Sequence, residues 1–336
     1  MAVIAVALGL VVLAGLIAVL VGPADVPGGG VVRELFRWVP GVGPSDLTEQ
    51  QRAILWELRA PRVALAGLVG ACLSVSGAAY QGAFRNPLAD PYLLGAAAGA
   101  GLGATIVFVS GSSGVLAAGT PLLPVASFLG ALGGVALAYA VGGSMGGRTT
   151  TGLVLAGVAV ASFLTAIQTF VQQRNADTLR EVYTWILGRL TTAGWSDVVL
   201  ILPYAVVSVT VLVLHGRMLD VLGLGDDEAG SLGIRPARVR LIIVVAASLA
   251  TAAAVAVAGL IGFVGIIVPH AVRLVVGTSN RWVVPLSALG GAAFLVFADL
   301  VARTLVSPGE LPIGVVTALL GAPAFALLLR RSGRMA

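Results

Sequence analysis

Along this chain, apolar runs long enough to cross a bilayer alternate with short polar breaks. A helix needs about 20 residues to cover the hydrocarbon core. Runs of that size, almost free of charge, occupy 1–21, 63–84, 149–173, 198–216, 283–301 and 311–329. The stretch 91–147 carries no charge and has room for two spans, broken by Gly111, Ser112, Ser113 and Gly114 with Pro121 and Pro124. The stretch 241–277 must also hold two, which makes them short; its glycines and Pro269 supply the break. The pattern predicts an all-α membrane protein of ten spans. An even number puts both termini on one side. Arg330, Arg331 and Arg334, with Arg217, Arg235, Arg238 and Arg240 in the loop after the sixth span, mark that side as cytoplasmic. No basic residue precedes Arg33, so the first run reads as a retained span rather than a signal peptide.

The whole chain, 1–336, reads as a single transmembrane domain with two water-facing segments. Residues 22–57, rich in Pro and Gly and then mixed in charge, fall outside the cell. Residues 218–240 form the largest inside loop, which reads as two short helices joined at glycines. Acids open the second of them, where the helix dipole favours negative charge. A solvated turn and a docking surface are both open readings of this loop. Gly77, Pro87 and Gly95 recur as Gly259, Pro269 and Gly277, each displaced by 182 residues. That offset is five spans, an odd number, so two copies so related face opposite ways, as in transporters built from inverted repeats.

Composition narrows the function. With 10% charged residues and 58% hydrophobic, the chain is far from the roughly one quarter charged of soluble domains. Its 45 glycines let helices approach closely, and Gly99 with Gly103 and Gly130 with Gly134 have the spacing of such contacts. All 20 basic residues are arginine. Without a lysine there is no P-loop, so any ATP, with its magnesium, must be held by another polypeptide. The net charge of +5 fits arginines beside membrane lipid and indicates no nucleic-acid partner. Cys72 lies alone in an apolar run; it reads as packing, and no thiolate metal site, metal or cofactor is expected in this chain.

Enzyme signatures are nearly empty. Gly142, Ser144 and Gly146 have the spacing of a hydrolase elbow but lack its strand–turn–helix setting. Ser113 has the look of an intramembrane protease serine, yet His215 and His270, the two histidines, lie toward the other membrane face. No catalytic residue is assigned. Asp299 and Arg303, one helical turn apart, form the clear intramembrane charge pair. An ion-coupled carrier would show more such groups. It and a Ser113 protease remain as rivals to a permease driven by an external motor.

Several ordered motifs then carry a specific likeness. Leu58, Arg59, Ala60, Pro61 and Arg62 lead through Gly77 and Gln81 into Arg85, Asn86, Pro87, Leu88, Ala89, Asp90 and Pro91. The second half has Gly259 to His270 with Pro269, then Arg273, Asp299, Arg303, Glu310 to Gly314, and Gly321 to Pro323. Together these closely resemble the FecCD/BtuC family of importer permeases over essentially the whole chain. The resemblance implies a BtuC-like fold and import of an iron–siderophore complex, haem or cobalamin across the bacterial inner membrane, with iron–siderophore favoured. It implies a second permease copy or paralogue, cytoplasmic ATP-binding subunits, and an extracytoplasmic binding protein or lipoprotein. By family position, Asp226, Asp227, Glu228, Ala229, Gly230, Leu232 and Gly233 match the ATPase-coupling helices. Arg59, Arg62 and Arg303 match docking positions for acidic lobes of the binding protein. Thr149, Thr150 and Thr151 lie where the family has a cytoplasmic gate. Arg189 departs from the small residue the family often carries; it meets an anionic group of the substrate or snorkels to headgroups.

Overall fold

The computed structural model describes residues 2–41, 43–111, 121–144, 150–306 and 309–332. The first half contains α1 (Ala2–Leu20), the outer helices α2 (Gly28–Leu35) and α3 (Glu49–Ala53), then α4 (Ala60–Phe84), α5 (Ala96–Val109), α6 (Leu122–Ser144) and α7 (Thr150–Arg174). The short α8 (Leu179–Ile186) leads to the second half. That half has α9 (Trp195–Leu214), the inner helices α10 (Gly216–Leu224) and α11 (Asp226–Ser231), then α12 (Pro236–Ala258), α13 (Val264–Val276), α14 (Asn280–Thr304) and α15 (Ile313–Ser332). Among the described residues, seven helices are long and apolar enough to span a membrane, and α5, α13 and Ile313–Ala326 of α15 are shorter apolar helices. Those ten coincide with the ten runs expected from the sequence.

Five spans on each side show the repeat. Helix lengths run 19, 25, 14, 23 and 25 residues in the first half and 20, 23, 13, 25 and 20 in the second. Packing follows suit: α4 lies on α14 as α12 lies on α6, and α5 pairs with α6 as α13 pairs with α14. The residues that suggested the repeat are not themselves equivalent, which corrects the 182-residue register. Gly77 is inside α4 whereas Gly259 follows α12, and Pro87 is in a loop whereas Pro269 is inside α13. The structural counterpart of Gly95, which starts α5 at φ +80, is Phe263, which starts α13 at φ +69. A glycine-based match could not find it, because one copy places a phenylalanine in the left-handed conformation.

Both third members are half-helices. A 14-residue helix is about 21 Å long, short of the ~30 Å core. Gly95, at the start of α5, lies against Val160 and Gly134, near the middles of α7 and α6, and α5 then runs outward along α6. The start of α13 lies against the middle of α4, since a Cβ on Gly77 would sit 2.0 Å from the Gly265 carbonyl oxygen. From there α13 runs inward, to Arg273, which donates to Gln81 near the inner end of α4. The two helices thus start at mid-depth and head for opposite faces. Their entry loops meet where the Tyr92 hydroxyl donates to the Ile261 carbonyl and accepts from the Ile261 N–H, both at 3.1 Å.

Backbone-to-backbone contact at glycine sets the tightest crossings. A Cβ on Gly99 would stand 2.0 Å from the Gly130 oxygen, and one on Gly103 2.3 Å from that of Ala126, so the two Gly-x-x-x-Gly pairs do make the α5–α6 seam. Cys72 is fully buried among Leu65, Val69 and Leu295.

Candidate functional site

The second span is entered by helix well before Pro61. Thr48 caps α3 reciprocally with Gln51, and the helix continues through a π-helical stretch, Ile54–Arg59, into α4. Proline inside an α-helix clashes with the carbonyl four residues back. The wider turn, in which the Ala60 N–H reaches back to Leu55, accommodates it. It also separates two arginines that a regular helix would place on one face.

Arg59 points into the protein and is 5% exposed. Its guanidinium donates to the carbonyls of Val19 and Leu20 at 3.0 and 3.1 Å and to Ala24 at 2.5 Å. Arg303, 2% exposed, donates to the Ala18 carbonyl. Helix α1 thus ends on two cations that satisfy its last carbonyls and complement its dipole. Of the three arginines matched to docking positions, Arg59 and Arg303 have their guanidinium groups on the end of α1.

Arg62 has a different role. Its Nε and Nη2 donate to Asp299 at 2.9 and 2.8 Å, and its Nη1 and Nη2 donate to the two oxygens of Glu310 at 2.9 Å each. A planar guanidinium can hold two carboxylates edge to edge in this way. Asp299 also meets Arg303 at 3.6 Å, so the i,i+4 pair exists but is the longer of its two ion pairs. The Asp299 side chain is 1% exposed and that of Glu310 is 25%, which makes Glu310 the outer layer. Arg62 and these acids share a cavity of about 140 Å³ with Arg189, Thr184 and Thr191. The Arg189 backbone N–H is fixed on the Ala258 carbonyl at 2.9 Å.

At the inner end, Asn86 and Asp90 each open an Asx-Pro turn, accepting from Leu88 N–H at 2.9 Å and Tyr92 N–H at 2.8 Å. These turns bring the chain back from α4 to mid-depth; Pro91 is buried against Gly265, while Pro87 is exposed. Gln81 ties α4 to α13, donating to the Gly265 carbonyl at 3.0 Å while accepting from Arg273. His270, one turn before Arg273, is half-buried.

Helices α10 and α11 meet at Gly225, φ +133, and α11 is followed by Gly233 at φ +79. Asp226 accepts from Arg240 at 2.8 Å, and Arg240, 4% exposed, also donates to the Ala83 carbonyl at the end of α4. Arg85 stands 3.8 Å from the same carboxylate. The hydrogen bond from Arg240 holds the Asp226 carboxyl below its usual pKa, with the charges of Arg240 and Arg85 adding to it. Asp227, Glu228, Gly230, Leu232 and Gly233 are exposed and Ala229 is buried. Asp220 caps α14, accepting from Ser279 Oγ at 2.8 Å and Asn280 N–H at 2.5 Å.

Thr149 lies outside the described residues, as does the side chain of Thr150; Thr151 is exposed at the start of α7. Ser113 also lies outside them, and Ser144 is at the end of α6 with its hydroxyl on the Val141 carbonyl. Sequence reading passed over one stripe. Ser162, Thr165, Thr169 and Gln173 are all exposed along one side of α7 and line a shallow groove with Ala161, Ala166 and Phe170. Polar residues at helical spacing within an otherwise apolar span were the signal.

The model of the FecCD transport family matches residues 10–331. The chain belongs to that family. The uncharacterised ABC transporter permease YvrB of Bacillus subtilis is 45% identical over 284 residues, covering 84% of this chain and 80% of that protein. The cobalamin import permease BtuC of Halobacterium salinarum is 43% identical, covering 84% of this chain and 74% of its own. The iron(3+)-hydroxamate import permease FhuB of Bacillus subtilis is 39% identical, covering 97% and 82%. A solved metal-chelate type ABC transporter in an inward-facing conformation superposes with a TM-score of 0.83 over 97% of both chains, at 27% identity. As a FecCD member, the chain is an ABC importer permease and a multi-pass protein of the bacterial inner membrane. Permeases of the FecCD family work with separate ATPase subunits and dimerise.

Proposed function

We propose that the chain carries an iron–siderophore complex through the membrane as one of two permease copies, or beside a paralogue, with haem and cobalamin as the other cargo classes. FecCD membership over 10–331 carries this reading. Relatives named as importers of iron(3+)-hydroxamate, iron(3+)-citrate, haemin and vitamin B12 support it, since all of these are bulky metal chelates. The chain itself performs no covalent chemistry and binds no cofactor. ATP and magnesium sit on the cytoplasmic subunits, whose docking surface is Asp226 to Gly233. Exposure of Asp227, Glu228 and Leu232 there supports it. An extracytoplasmic binding protein or lipoprotein delivers cargo to the outer face at Arg62, with Arg59 and Arg303 fixing the helices around it. Arg189 meets an anionic group of the cargo. The polar stripe of α7 faces the other copy across the pathway, and Thr149, Thr150 and Thr151 close its inner end. Exposed hydroxyls and amides on a spanning helix are poorly matched to hydrocarbon, which supports a watery path there.

Uptake of radiolabelled ferric hydroxamate, haemin and cyanocobalamin in cells deleted for this chain tests the cargo. Loss of ferric hydroxamate uptake is expected. Loss of haemin or cyanocobalamin uptake instead reassigns the cargo, and transport by the purified chain without any ATPase subunit would overturn the importer reading.

A further inference from the structure

The outer arginine that the proposed function gives to an acidic partner is already occupied by a carboxylate of the same chain. Arg62 presents two edges. One is closed by Asp299, 1% exposed and braced by Arg303. The other is closed by Glu310, whose two oxygens each lie 2.9 Å from a guanidinium nitrogen. The layers differ in how easily they can part. Asp299 is inside the bundle, on a 25-residue helix held on both sides. Glu310 stands in the connection between α14 and α15, one quarter exposed. A carboxylate arriving from outside meets Glu310 first and needs the same pair of donors.

We infer that Glu310 is an internal placeholder, displaced from Arg62 when a carboxylate of the acidic extracytoplasmic partner docks. The inference rests on the docking reading given above and adds a competitor to it. Its consequence is mechanical as well as energetic. The α14–α15 connection is tied to Arg62 through Glu310 and to α14 through the Leu311 N–H on the Ala302 carbonyl at 2.9 Å. Gly314, at the start of α15, donates to Leu187 at 3.0 Å. Exchange of carboxylates at Arg62 removes one of these ties while leaving the buried Asp299 pair whole. Docking at the surface is thereby felt at the outer end of α15 without any unpaired charge appearing inside the protein. An occupied receptor site also reduces apparent affinity in proportion to the fraction of time it is free. Undirected acidic contacts are therefore discouraged.

The test uses the full chain in nanodiscs and a fluorescent Glu-rich decapeptide as the acidic probe, with free glutamate at equal carboxylate concentration beside it. Glu310→Gln keeps the side chain's shape and removes its charge. It should tighten peptide binding about tenfold, as expected when the competitor holds the site nine-tenths of the time, while Arg62→Gln abolishes binding. In the unmodified protein, peptide should raise hydrogen exchange at the Leu311 and Gly314 amides, and Glu310→Gln should show that exchange without peptide. If Arg62→Gln abolishes binding but Glu310→Gln leaves it unchanged or weaker, the placeholder role is overturned and the docking reading stands. If peptide binds equally well without Arg62, the docking reading itself fails. Glu310→Asp, which retains the carboxylate, separates lost competition from misfolding, since it should bind peptide as the unmodified protein does. If free glutamate raises the two amides' exchange as strongly as the peptide, the site takes small carboxylates and the protein-partner assignment is overturned.

Discussion

The polar clusters at the two ends of α4 use the same chemistry, arginine against aspartate, and differ in burial. At the outer end, Asp299 and Arg303 are 1% and 2% exposed and bind α1, α4 and α14 into one knot. At the inner end, Asp226 is 46% exposed and Arg85 43%, and of that group only Arg240 is buried. A charge taken out of water must keep its partners, so the outer knot fixes the relative positions of its helices. Charges left in water hold one another weakly, and a link made from them can be opened at small cost. That contrast suits a protein read as being moved from inside by a separate motor while its outer helices keep their register.

The largest expected effect comes from breaking the buried knot. Asp299→Ala leaves Arg303 with a single backbone partner and Arg62 with only Glu310. Removing one member of a buried ion pair costs on the order of 3–5 kcal/mol. Thermal unfolding in detergent should show a large drop in midpoint, and Asp299→Asn should recover only part of it. An unchanged midpoint would mean that water reaches this cluster freely and that its burial counts for little.

A smaller loss is expected where Asp220 joins the inner helices to α14. Asp220→Ala removes the acceptor for the Ser279 hydroxyl and the Asn280 N–H, and loss of an N-cap costs about 1 kcal/mol. Hydrogen exchange at Asn280 and Arg281 should rise while that at the outer end of α14 stays put. A rise along the whole of α14 would show that the buried outer knot does not hold that helix independently of its inner end.

Much of this was legible in the apolar runs. Spans of ~20 residues are forced by bilayer thickness, so ten runs gave ten helices. The Gly99 and Gly130 seams were legible too, because small residues four apart form one helical face. The partners of the arginines were not. Arg62 meets Asp299 and Glu310 at separations of 237 and 248 residues, and spacing carries no information about contacts that depend on how helices are ordered in space. On a regular helix across Pro61, Arg59 and Arg62 would share one face. The π-helical turn at Ile54–Arg59 sends one to the end of α1 and the other to α14. Tyr92 drew no notice, since its role appears only once two re-entrant loops meet. The 182-residue register failed for the related reason that Phe263 holds a conformation usually left to glycine.

Uncoupling without unfolding is the next prediction. Reversing Asp227 and Glu228 to Arg changes exposed groups, so the unfolding midpoint should move little, within the range of about 1 kcal/mol for surface charges. Transport and co-purification of the ATPase subunit should both fall. If both are unchanged, the docking surface lies elsewhere on the inner face.

The smallest effect concerns pH, and it separates the two ends most directly. Asp226 titrates below its ordinary range because it accepts from Arg240 and sits near Arg85. For a carboxyl whose folded pKa is depressed, the stabilisation is complete above the unfolded value, near ~3.9 for Asp. It disappears as pH falls through the folded value, which is lower still. The inner link should therefore be insensitive to pH between 5 and 8 and should loosen only in strong acid. Hydrogen exchange over 216–235, corrected for the intrinsic rate, reads this out. Asp226→Asn should raise exchange slightly at neutral pH, and the difference from the unmodified protein should shrink as pH falls through the folded value of Asp226. The effect stays small because the carboxylate is nearly half exposed, so solvent screens most of what Arg240 contributes. A link that loosened between pH 6 and 7 would require a different titrating group at this end of α4. Asp226→Asn indistinguishable from the unmodified protein at pH 7 would mean that Arg240 is held by the Ala83 carbonyl alone.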